Sequence, residues 1–158
     1  MNKILITFSL IFSFFTVFSQ EKKVTIFWDT SYSMIDKELS NEIEFLNSYF
    51  KTNTKLTLNL IKFSNQIISN ESFEISNSDW GLLKKELINT VYDGASSFDT
   101  LKEIILGDEI LFFTDGNGFI DDFPTVFLKP VKIISSTPDS NKINLKKVAE
   151  FSKGLYFD

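Results

Sequence analysis

Two apolar runs in this chain break off at an aspartate: KVTIFWD at 23–29 and EILFFTD at 109–115. Both are nearly continuous in aliphatic, β-branched and aromatic residues, the pattern of a strand covered on both faces, and VKIIS at 131–135 is a third run of that kind. Strands with one wet face alternate polar and apolar residues, so these runs point to a mainly parallel sheet buried between helices, an α/β sandwich.

The segments between them agree. Leu39, Ile43, Leu46 and Phe50 recur at helical spacing, with Lys37, Glu38, Glu42 and Glu44 among the intervening residues, which predicts an amphipathic helix packed on the sheet. KLTLNLIKF at 55–63 is a second strand, SNQ a turn, and ESFEI at 71–75 a shorter partner returning antiparallel at the sheet edge. Trp80, Leu83 and Leu87 mark a helix capped by Ser78 or Asp79, and Phe98, Leu101 and Ile105 a third, short one. A last helix carries Leu145, Val148 and Ala149 and stops at Gly154 in the helix-terminating position, after which LYF closes the sheet. Phe27 and Trp28 are expected in the core.

The first residues stand apart. MNK supplies a positive start, Ile4 to Phe18 is an uncharged apolar run shorter than the roughly 20 residues that span a bilayer, and small residues precede Gln20. Residues 1–19 therefore read as a cleaved signal peptide and 20–158 as one domain, exported to the periplasm, the outer membrane or the medium, with no membrane span after cleavage. Export does not bring disulfides here, because the chain has no cysteine, and stability must come from the core.

Composition narrows the chemistry. Histidine and cysteine are absent, which removes the commonest general base, thiol catalysis and His- or Cys-ligated metals. Every cation is lysine; 16 of them against 21 acidic residues give a net charge of −5, with no basic run, so nucleic acid is not an expected partner. Hard, oxygen-ligated cations such as Mg²⁺ or Ca²⁺ remain compatible.

In open α/β sheets ligands sit beyond the carboxyl ends of the strands, where Asp29 and Asp115 fall. A lone aspartate there is usually a turn or cap residue. Asp29, however, is followed by hydroxyls at Ser31 and Ser33, and DGASS at 93–97 offers further hydroxyls on another loop, which together favour a metal site. Asp93 reads as a turn residue beside Gly94. The adjacent Asp121 and Asp122 read as solvated loop carboxylates, with a second cation site as the alternative.

DTSYS at 29–33 resembles the Asp-x-Ser-x-Ser signature of von Willebrand factor type A domains, FFTDG at 112–116 resembles their later strand-end aspartate, and Ser96 in YDGASSF resembles the threonine of their third loop. The resemblance covers Lys23 to Asp158 and implies a three-layer sandwich whose mainly parallel sheet has one antiparallel edge strand. It also implies a metal ion-dependent adhesion site holding Mg²⁺, with Mn²⁺ or Ca²⁺ as substitutes. Ser31 and Ser33 would be direct ligands, Ser96 a direct or water-relayed one, and Asp29 and Asp115 would orient and partly neutralise the shell. The open position would take an Asp or Glu carboxylate from a protein partner. Ser96 stands where the family has threonine; Ser97 is the alternative, and Ser96 is preferred because Phe98 then begins the buried face of the next helix.

The chain is also similar to exported envelope proteins of the Bacteroidota, in which such a domain precedes larger regions. A competing reading is a Mg²⁺-dependent phosphatase of the haloacid dehalogenase type with Asp29 as nucleophile. Such enzymes have Asp-x-Asp at that point, whereas Ser31 supplies no acid here. A structural domain with an unused metal site is a third reading.

Overall fold

The computed structural model describes residues 21–101, 104–118 and 129–158. Its centre is β1, Lys23–Asp29, whose residues after Lys23 are all buried. The strand earns that position by lying between two parallel neighbours, β2 (Leu56–Phe63) and β4 (Glu109–Phe113). With β3 (Ile67–Ile75), β5 (Val131–Ile134) and β6 (Leu155–Phe157) the sheet has six strands in the order β3-β2-β1-β4-β5-β6, parallel except for the antiparallel edge strand β3.

Alternate residues of β1 feed two cores. Val24, Ile26 and Trp28 face α1 (Leu39–Thr52) and α2 (Gly81–Ile88), meeting Leu46, Phe50, Leu83 and Leu87. Phe27 belongs to the opposite core with Phe63, Phe112, Leu101 and the apolar face of α3 (Lys142–Phe151). Helices thus cover both sides of one sheet, the three-layer sandwich that the apolar runs require.

Several local expectations are corrected. The edge strand has nine residues, not the five of ESFEI, because the tight turn at 64–66, closed by a Ser64 N–H bond to the Gln66 carbonyl, starts the return strand at once. Ile105 is 91% exposed and the turn before it, Asp99–Leu101, is a single 3-10 turn, so Phe98 and Leu101 alone of that trio are buried. At α2 Trp80 occupies the boundary, while Asp79 accepts the Gly81 N–H at 3.0 Å. The left-handed residue ending α3 is Lys153, with φ of 59°, and not Gly154. Gly154 is needed for another reason: a Cβ there would lie 1.8 Å from the Val131 carbonyl oxygen.

At the amino end of the parallel strands Glu109 gathers Lys22, Lys132 and the Tyr49 hydroxyl. That network closes the end of the sheet opposite the two strand-end aspartates.

Candidate metal centre

The register of β1 and β4 pairs Trp28 with Phe113, which puts the next residues, Asp29 and Thr114, side by side. The Thr114 hydroxyl donates to Asp29 Oδ2 at 2.7 Å and accepts the Gly116 N–H at 3.1 Å. Asp29 Oδ2 also accepts from the Ser96 hydroxyl at 2.6 Å, and Oδ1 from the Ser31 N–H at 2.9 Å. A carboxylate at a strand end whose own side chain captures the N–H two residues on forms an Asx turn, which swings the chain so that the following hydroxyls face back toward it.

Ser31 Oγ lies 3.1 Å from Ser33 Oγ and 3.3 Å from Ser96 Oγ. Ser31 is buried, Ser96 half-buried and Ser33 exposed, so the hydroxyl cluster runs from the sheet edge to solvent. The loop bearing Ser96 is pinned by backbone bonds from Tyr32 N–H to the Gly94 carbonyl, Asp93 N–H to the Thr30 carbonyl and Ser97 N–H to the Ser64 carbonyl. Ser96 rather than Ser97 joins the cluster; the Ser97 carbonyl instead accepts from Thr100. Asp93 is the expected turn residue, its carboxylate accepting the Gly94 N–H at 2.7 Å.

Asp115 is fully buried on the neighbouring strand end, but its carboxylate is held by Asn117, through the backbone N–H and the side-chain amide at 2.9 Å each, and makes no hydrogen bond to the other four residues. Gly116 makes that turn possible: its φ is 74°, and a Cβ would come within 2.7 Å of Leu145. The Asp115 carbonyl accepts the Asn141 N–H at 2.7 Å, tying the turn to the start of α3.

Asp29 and Asp115 are 0% exposed and form no ion pair among the described residues. Burial raises the Asp29 pKa above the usual carboxylate value, against hydrogen bonds from Ser31, Ser96 and Thr114 that favour the charged form. Two sealed carboxylates beside three clustered hydroxyls fit a hard cation in donor chemistry, all oxygen and mostly neutral. Among the described residues no group of three or more His, Cys, Asp or Glu side chains could form a carboxylate cage, so hydroxyls would supply much of any shell.

Thr114 and Asn117, within and beside FFTDG, carry no mark in the sequence that sets them apart. Lys37 and Glu42 are expected only among the residues that intervene between the apolar positions of the first helix. Both are buried: Lys37 Nζ lies 2.7 Å from Glu42 and 3.7 Å from the centroid of the Trp28 ring, and Glu42 accepts the Ser136 hydroxyl at 3.0 Å. Trp28 donates its indole N–H to the Tyr92 hydroxyl at 3.3 Å, and Lys37 lies 4.9 Å from the Tyr92 ring. The buried Lys37–Glu42 pair therefore joins the strand before Asp29, the loop before Ser96 and the loop after β5. Asp121 and Asp122 lie outside the described residues.

No protein-family model and no curated protein sequence matches the chain. Solved structures do match. An aerotolerance-related membrane protein from Bacteroides fragilis is similar over 86% of this chain and 90% of its own, with a TM-score of 0.63 and 14% identity. The protein BatB from Bacteroides thetaiotaomicron is similar over 86% and 89%, with a TM-score of 0.61 and 14% identity. The SpRpn10 VWA domain is similar over 87% of each chain, with a TM-score of 0.57 and 14% identity. At such identities the likeness concerns the path of the chain, and with the strand order and three layers already described it leads to one statement: the chain has the fold of the von Willebrand factor type A domains.

Proposed function

We propose that the chain is an exported, metal-dependent protein-binding domain. A divalent cation, Mg²⁺ foremost with Mn²⁺ or Ca²⁺ as substitutes, is held at Ser31, Ser33 and Ser96, with Asp29 and Asp115 orienting the shell and offsetting charge. A partner protein completes that shell with an Asp or Glu carboxylate. The observation that carries this reading is the cluster of three hydroxyls, 3.1 and 3.3 Å apart, over a sealed Asp29 that has only neutral hydrogen-bond partners. Neutral direct ligands leave a cation electrophilic, which suits it to an anionic oxygen brought by a partner. Because Ser33 is exposed, the open side of the cluster faces solvent.

Export rests on the apolar start of the sequence, and no helix among the described residues is long and apolar enough to cross a membrane. The phosphatase alternative asks Asp29 to attack phosphorus, yet both its oxygens accept hydrogen bonds and it has no exposed surface.

A cation that binds only the folded state raises its thermal midpoint by mass action. Millimolar Mg²⁺ should therefore stabilise the mature domain, and Ser33→Ala or Asp29→Asn should reduce or remove the shift. Absence of a shift with Mg²⁺, Mn²⁺ and Ca²⁺ alike in the unmodified domain would sink the proposal.

A further inference from the structure

Between Ser31 and Leu39 the loop that carries Ser33 buries only two side chains, Met34 and Lys37, and the residues around them are exposed. Met34 is held by packing and by the Thr137 hydroxyl, which donates to its Sδ at 3.6 Å. Lys37 is the charged anchor. On the loop that carries Ser96, Tyr92 is the only residue between Thr90 and Ser96 that is not exposed. These two inward residues meet under the hydroxyl cluster: Lys37 Nζ lies 4.9 Å from the centroid of the Tyr92 ring and 3.7 Å from that of Trp28, whose indole N–H reaches the Tyr92 hydroxyl. Lys37 follows Ser33 by four residues, and Tyr92 precedes Ser96 by four.

The same two loops are joined further out by two backbone bonds, from Tyr32 N–H to the Gly94 carbonyl at 2.9 Å and from Asp93 N–H to the Thr30 carbonyl at 2.8 Å. Tyr32, Asp93 and Gly94 are exposed, so water competes for these bonds and local opening is easy unless something beneath holds the loops in register. Lys37 can do so because its charge is drawn at once to two ring faces and to the Glu42 carboxylate, groups supplied by β1, by the loop after α2 and by α1. An apolar side chain of equal volume would fill the space without drawing the three together.

We infer that Lys37 is a positioning residue of the metal centre: the buried cation fixes the loop of Ser31 and Ser33 against the loop of Ser96, so that the hydroxyls are gathered before a metal ion arrives. Neutral hydroxyls are weak ligands one by one, and their joint affinity depends on being held in place beforehand. The consequence for the metal rests on the function proposed above, whereas the fixing of the two loops does not.

The test compares the unmodified mature domain with Lys37→Met combined with Glu42→Met, which leaves no buried charge unpaired, and with Glu109→Gln, which loosens the opposite end of the sheet. Mg²⁺ affinity is read from the thermal midpoint across a Mg²⁺ series, and hydrogen exchange of the Tyr32 and Asp93 amides is followed by NMR without added cation. The double variant should bind Mg²⁺ about 10–100-fold more weakly, as happens when groups that orient metal ligands are removed. Its Tyr32 and Asp93 amides should lose protection while those of β1 keep theirs, and Glu109→Gln should leave both the affinity and the two loop amides as they were. Tyr92→Leu, at a half-buried position, removes one ring face, leaves the Lys37–Glu42 pair intact and should move both readouts the same way by less, which keeps the test decisive if the double variant folds poorly. Unchanged Mg²⁺ affinity in these variants, or lost affinity with both loop amides still protected, overturns the inference and leaves the metal reading in place. Equal losses in Glu109→Gln would trace the effect to general stability and overturn it as well. If the unmodified domain binds no cation, the metal reading falls and the amides decide: lost protection supports the fixing of the loops, and kept protection overturns it.

Discussion

Lys37 and Glu42 pair at 2.7 Å with side chains 2% and 0% exposed, one turn from the loop that carries Ser31 and Ser33. Taking both charges out of water is expensive, and their attraction repays it only while both are present. Lys37→Met should therefore cost about 3–5 kcal/mol, because it strands the Glu42 carboxylate in the core. Lys37→Met combined with Glu42→Met should recover most of that loss, since an apolar pair of similar volume needs no compensation. Urea unfolding of the three variants reads this directly, and a double variant as unstable as the single one would contradict it.

Thr114 joins Asp29 to the Gly116 turn through one hydroxyl. Thr114→Val keeps the shape and removes that hydroxyl, leaving one acceptor and one donor with a lost partner, so stability should fall by roughly 1–3 kcal/mol. Thr114→Ser should restore most of it. Thermal midpoints of the two variants without added cation decide the matter.

The end of α3 offers two substitutions of opposite sign. Lys153 adopts a left-handed conformation that costs a non-glycine residue about 1 kcal/mol, so Lys153→Gly should be stabilising or neutral. Gly154→Ala should destabilise by about 1–3 kcal/mol or more, because its Cβ would meet the Val131 carbonyl that sits between β5 and β6. Equal effects from the two would refute this account of where the glycine is needed.

Glu109 supplies a pH dependence. Burial pushes its pKa up, but hydrogen bonds from Lys132, Lys22 and Tyr49 outweigh that and hold it below its ordinary value of 4.5. The unfolded chain then binds the proton more readily than the folded one, so Glu109 contributes stability above pH 4.5 that is lost as the pH falls through the depressed folded value. Glu109→Gln should lower stability at neutral pH and flatten this acid limb of the profile. An unchanged slope below pH 4.5 would count against the network.

The fold was legible because its strands are extreme. KVTIFWD and EILFFTD have no polar alternation, and such runs fit only the middle of a covered sheet. Asp29, Ser31 and Ser33 stood out by their spacing, and Ser96 by its resemblance to a third-loop threonine, its place before Phe98 only favouring it over Ser97. The structure joins these four by hydrogen bonds and places Asp115 one residue past Thr114, which was not recognised because a threonine inside an apolar strand resembles any β-branched residue. Lys37 and Glu42 escaped for a different reason. Helical periodicity assigns charged residues to solvent, and only the three-dimensional meeting with Trp28, Tyr92 and Ser136 shows that this helix buries a carboxylate. Lys153 and Gly154 differ by one position, and a helix boundary read from sequence is no finer than that.

The hydrogen bonds to Asp29 from Ser96 and Thr114 span 67 and 85 residues. Contacts that distant require the entropy of closing the intervening loops to be met. A nascent chain that has made only β1, β2 and β3 holds Asp29, Ser31 and Ser33 but neither Ser96 nor Thr114. The hydroxyl cluster is therefore complete only in a chain whose later segments have joined the first three strands.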